Sequence, residues 1–176
     1  VCGVDRIGMA EALTEAGAQV TFGDLIFGLG INLPIKSLKL LAWIASIVAP
    51  VITKMPVSWF YPIGKEQTQR VERYPEYFLE NDIIAGDFHF IRKFMPEQMA
   101  GKTIITNTVT KEDRALLKKA GVYCLITTTP NFNGRSFGTN VLEAALVALA
   151  GKSGPLDAAE YEELLKKHDI QPGIEY

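Results

Sequence analysis

Val1-Cys2-Gly3-Val4-Asp5-Arg6-Ile7-Gly8-Met9-Ala10-Glu11-Ala12-Leu13 reads as the end of a buried strand, a glycine turn and the first turns of a helix. Ala18-Gln19-Val20-Thr21-Phe22-Gly23-Asp24 then reads as a second strand ending in an acid. Together they open a nucleotide-binding βαβ unit, in which the turn brings phosphate to a helix N-terminus and the acid holds a ribose. The helix should run from about Arg6 to Ala16, with Ile7, Ala10 and Leu13 on one face, Glu11 and Glu15 outside, and Gly17 as its stop. The opening strand looks cut short and no initiator Met is present, so an upstream N-terminal domain is expected.

Residues 25–80 depart from the usual pattern as an apolar, proline-punctuated insertion. Leu40 to Thr53 carries no charge, but it is shorter than the ~20 apolar residues a spanning helix needs, and Pro50 interrupts it. It is expected to be a helix packed against the sheet, or a surface for a second subunit or the missing domain. An interfacial membrane helix anchored by Trp43, Trp59, Phe60 and Tyr61 is the alternative. The polar stretch at residues 65–80 is helix-prone and divided by Pro75.

Regular alternation returns with short apolar strands at Asp82–Asp87, Lys102–Asn107 and Val122–Thr127. A helix from Lys111 to Ala120, closed by Gly121, separates the last two. A core helix is expected from Ser136 to Ala150 and a charged amphipathic helix over residues 157–168. Continuous apolar strands separated by helices indicate a parallel sheet covered on both faces. The predicted fold class is therefore α/β: a Rossmann-like, doubly wound parallel sheet of about five strands, the first one central, with an apolar helical insertion after the second. Residues 1–151 would form the dinucleotide-binding domain and residues 152–176 a peripheral helix and tail.

The 176 residues carry a formal charge of −2 and show no basic stripe, which argues against nucleic-acid binding. Cys2 and Cys124 lie in apolar runs without metal-ligand spacing, so both read as packing thiols in a reducing cytoplasm.

In open α/β sheets, ligands bind outside the carboxyl ends of the strands, so those ends hold the candidate site. Gly3 and Gly8 frame the first turn, but their Gly-x4-Gly spacing has one glycine fewer than a standard dinucleotide fingerprint. Asp5 can cap the helix, Arg6 can meet a phosphate, and Asp24 favours NAD over NADP by repelling a 2′-phosphate. Asp87 and His89 follow the next strand, where a histidine beside a carboxylate suits general acid–base work near neutral pH. Equally, His89 can serve only to hydrogen-bond its own loop. Asn107, Thr108 and Thr128 end the later strands and offer uncharged hydrogen bonds to a ribose, carboxamide or pyrophosphate. Arg135, ahead of the last core helix, can reach an anionic group. Ordinary turn and cap chemistry accounts for part of each of these choices.

The phrases VDRIGMAEAL, FGDLIFGLG, IAGDFHFIRKFMP, ITNTV and TTTPNFNGRSFGTNVLEAALVAL resemble a bacterial quinate 5-dehydrogenase family, of shikimate/quinate dehydrogenase-like type. The resemblance covers most of the chain. It implies a nicotinamide-binding C-terminal domain behind a separate N-terminal domain, and oxidation of a cyclic polyol to a ketone. In shikimate and quinate dehydrogenases a catalytic Lys–Asp pair comes from that N-terminal domain. The alternatives are a non-catalytic nucleotide-binding or oligomerisation module, and an acyl-handling reductase that uses the apolar segment.

Overall fold

The structure is a computed structural model that describes residues 6–54, 56 and 70–176. Cys2, Gly3 and Asp5, with the strand expected at the start of the chain, lie outside the described residues, as do Trp59, Phe60 and Tyr61. The chain divides into two compact units, Val1–Met99 and Ala100–Tyr176.

In the first unit, α1 (Ile7–Glu15) forms where the apolar spacing places it. It closes with Ala18 N–H donating to the Leu13 carbonyl and Gly17 N–H to that of Thr14, with Gly17 at φ +83°. The strand expected over residues 18–24 does not form. Only Phe22 makes an isolated antiparallel bridge, to Ile35, and from Asp24 the chain enters a π-helical turn, Asp24–Gly28. Reversal of the chain between the two residues lets Phe22 and Ile35 exchange backbone bonds of 2.7 and 3.2 Å. They bury together with Ala10 and Leu41, and that local core replaces a sheet contact.

Helix α2 (Leu38–Ile52) fills the insertion and continues through Pro50, which was expected to interrupt it. Pro50 stands only two residues before the helix end, so the missing N–H leaves a single carbonyl, that of Ser46, without its helical donor. A short α3 (Glu76–Leu79) follows Pro75. Strand β1 (Ile83–Ala85) then leads into α4 (Phe88–Phe94), capped by Asp87. Phe27 on the π-helical turn packs its ring against Tyr77, Phe78 and Phe94, with centroids 5.2 to 6.4 Å apart. Burying Phe78 and Phe94 contributes about 1.5–3 kcal/mol each.

The second unit is more regular. Strands β2 (Thr103–Thr106) and β3 (Cys124–Thr127) pair in parallel, in register from Thr103 with Cys124 to Thr106 with Thr127. Helix α5 (Lys111–Lys119) crosses between them, its start fixed by a reciprocal capping box of Thr110 and Asp113. Strands β4 (Asn131–Phe132) and β5 (Arg135–Ser136) then form a hairpin over Asn133-Gly134, whose φ values are +52° and +89°. Arg135 and Ser136 are thus strand residues, and helix α6 (Thr139–Leu149) starts later than expected.

Helix α7 (Ala158–Lys167) follows as predicted. The expected tail instead ends in strand β6 (Gly173–Glu175), antiparallel to β3. The chain is a mixed α/β fold, and its sheet carries an antiparallel strand where an all-parallel one was expected. Among the described residues no helix is long and apolar enough to cross a membrane.

Candidate functional site

In the first unit, Asp87 caps α4: one carboxylate oxygen accepts the His89 backbone N–H at 2.8 Å. The other accepts Arg6 Nη2 at 2.6 Å. Both side chains are largely buried, so the pair is a charge-assisted contact shielded from solvent. Arg6, expected to meet a phosphate, therefore ties the start of α1 to the carboxyl end of β1. Asp87, expected as a ligand contact or as the orienting partner of His89, accepts the backbone N–H of that residue.

Gly8 lies exposed in the first turn of α1, and a Cβ there would meet nothing within 4 Å. Asp24 stands at the first position of the π-helical turn. A cavity of about 100 Å³ in this unit is lined by Val20, Phe27, Phe78, Ile84 and Phe90, together with Asp87.

The second unit brings Asn107, Thr108 and Thr128 together. The Thr106–Thr127 pair ends the parallel register, and Thr128 N–H still donates to the Thr106 carbonyl at 2.9 Å. Asn107 and Thr128 are therefore neighbours one residue beyond the strands, at their carboxyl ends. Asn107 is fully buried, and its Oδ1 accepts the Thr108 hydroxyl at 3.3 Å. Its Nδ2 is buried without a hydrogen-bond partner, and so is the Thr128 hydroxyl. A buried polar group left without a partner costs about 1–3 kcal/mol.

Thr108 adds strain, for its φ of +59° is unfavourable for a β-branched residue. It stands next to Gly138, the residue before α6: a Cβ on Gly138 would lie 3.9 Å from the Thr108 hydroxyl and 2.5 Å from Asn140 Oδ1. The site thus includes the start of α6, where the sequence already offers Gly134 and Gly138 in the loop before the helix as glycines that allow a close backbone approach to a ligand. Arg135, also expected at the site, sits exposed on β5 with its guanidinium over the Phe137 ring, 5.7 Å from the centroid.

A residue missed from sequence is Arg114. It holds Glu175 through Nε at 2.8 and 2.9 Å and donates through Nη1 to the carbonyls of Val109 and Gly134. One side chain thereby fastens β6, the hairpin turn and the start of α5. Among the described residues no cluster of His, Cys, Asp and Glu is placed to hold a metal.

Residues 1–176 match the family described as Domain of unknown function (DUF8754), and the chain belongs to that family. No curated protein and no solved structure matches it.

Proposed function

We propose that this member of the family binds a nicotinamide dinucleotide and serves as the cofactor domain of an oxidoreductase with a Rossmann-like, doubly wound sheet. The observation that carries the reading is that two of the buried groups without a hydrogen-bond partner, Asn107 Nδ2 and the Thr128 hydroxyl, stand side by side at the carboxyl ends of two parallel strands. An amide donor beside a hydroxyl that can donate or accept suits the carboxamide or ribose of such a cofactor. Thr108 would complete this set of groups.

From the pattern of a glycine turn followed by a strand-end acid, Gly3, Asp5, Gly8 and Asp24 are the first unit's own candidates for nucleotide contacts, with Asp24 favouring NAD. When bound, the cofactor supplies hydride transfer between a hydroxyl and a ketone, while the chain supplies binding and orientation. The resemblance to quinate and shikimate dehydrogenases makes a cyclic polyol the substrate class. His89 is the proton-transfer candidate, and Asp87 positions the first turn of the helix that bears it.

The test is calorimetric titration of the full chain with NAD and with NADP. Asn107→Leu and Thr128→Val should each weaken binding about tenfold, the equivalent of one hydrogen bond to a buried group. Asp24→Ala should reduce affinity for NAD more than for NADP. A folded chain that binds neither cofactor refutes the reading, as does binding that both strand-end variants leave unchanged.

A further inference from the structure

Helix α2 is apolar on the side it buries and on the side it exposes. Leu41 is buried in the core cluster with Ala10, Phe22 and Ile35, and Leu38 and Ile44 pack against it. The outer face carries Leu40, Trp43 and Ile47, which are 45%, 62% and 54% exposed. Ala42, Ser46 and Pro50 are exposed with them. A surface helix ordinarily turns charge to solvent, and this one has none between Lys39 and Lys54.

The charge that flanks the helix in sequence has one sign. From Leu25 to Lys65 the sequence holds four lysines (Lys36, Lys39, Lys54 and Lys65) and no acidic residue, in a chain with 20 acids and 18 bases overall. Lys36 and Lys39 at the start of α2 and Lys54 just past its end are exposed. Ile31 and Leu33, exposed as well, belong to the same acid-free segment.

We infer that α2 docks on the surface of an anionic phospholipid bilayer, lying in the interface with Leu40, Trp43 and Ile47 in the acyl boundary and the flanking lysines on the headgroups. At 1.5 Å per residue its 15 residues reach only about 22 Å, less than the hydrocarbon thickness, so the helix lies on the membrane and does not cross it. Tryptophan suits that depth, because its ring is apolar and its N–H needs a polar partner. A second copy of the chain fits less well. A two-fold pairing of this face would set lysine against lysine, with no acid in the segment to answer them.

The experiment is flotation of the full chain with phosphatidylcholine vesicles, with and without a minority of phosphatidylglycerol. Binding is expected to the anionic vesicles, to be about a hundredfold weaker to the neutral ones, and to fall with added salt. Trp43→Ser and Ile47→Asp change exposed side chains, so the fold should survive while vesicle binding drops at least tenfold. Three results overturn the inference: no flotation of folded protein with anionic vesicles, flotation that both variants leave unchanged, or a lipid-free dimer in sedimentation that Trp43→Ser dissolves.

Discussion

Eighty-one residues separate Arg6 from Asp87, and the contact that joins them changes what each can do. A cation ahead of a helix and an acid behind a strand both read as ligand contacts, because their sequence neighbourhoods say nothing of a partner so far along the chain. In the structure the guanidinium neutralises the carboxylate, and the carboxylate is then free to cap α4. Truncating Arg6 would leave Asp87 buried with an unanswered charge, at a cost of about 3 kcal/mol. Chemical denaturation of Arg6→Ala should show that loss, and Arg6→Ala with Asp87→Asn should lose less than the two single variants added together. Full additivity would mean that the ion pair does not hold the strand end. Asn107 was legible because a polar residue ending an apolar strand stands out locally. That its amide nitrogen lacks a partner is a matter of three-dimensional packing, which no sequence pattern encodes.

The elements that sequence located well are those whose signals are local. Helix α5 is announced by Thr110 and Asp113 at its start and by Gly121 after its end, all within reach of its own backbone. The segment at residues 18–24 alternates like a strand, yet a strand also needs a neighbour along its whole length. Here a single bridge to Ile35 is formed before the chain turns away. Asn133-Gly134 is the reverse case, a local hairpin turn whose flanking strands are only two residues long and too short to show alternation.

Gly121 allows a test at this scale. It sits at φ +85°, and a Cβ there would come within 3.3 Å of Ala100 Cα, whereas at Gly17, at φ +83°, it would meet nothing within 4 Å. Gly17→Ala should destabilise by about 1 kcal/mol, the left-handed penalty alone, and Gly121→Ala by more, because backbone must also move. Equal losses in thermal unfolding would show that the Ala100 contact relaxes without cost.

Across the whole molecule, the second unit was easier to read than the first for one reason: its strands and helices alternate at short spacing, whereas the first builds its core from segments brought together across the long insertion. Even so, the second unit closes through residues far apart in sequence. Arg114 holds Glu175, and Tyr176 donates its hydroxyl to the Arg114 carbonyl at 3.3 Å. Partial loss of solvation, in a residue that stays 43% exposed, together with the Glu175 charge pushes the Tyr176 phenol up from 10.0 to about 12. Its neutral form is therefore favoured in the folded state, and the sign of the pH dependence follows. Below pH 10 both folded and unfolded chains keep the proton, and the contribution is intact. Between about 10 and 12 the unfolded chain ionises first, so stability falls as pH rises through that window. Tyr77 and Tyr161 are also held above their ordinary value, again chiefly by loss of solvation, and they act in the same direction. The comparison that isolates the C-terminal closure is thus wild type against Tyr176→Phe, followed by denaturant midpoint as pH is raised. The variant should start slightly less stable, for want of the hydroxyl bond, and then lose stability less steeply across the window. Parallel curves would mean that the phenol ionises as readily in the folded chain as in the unfolded one, and that its place beside Arg114 does not shield it.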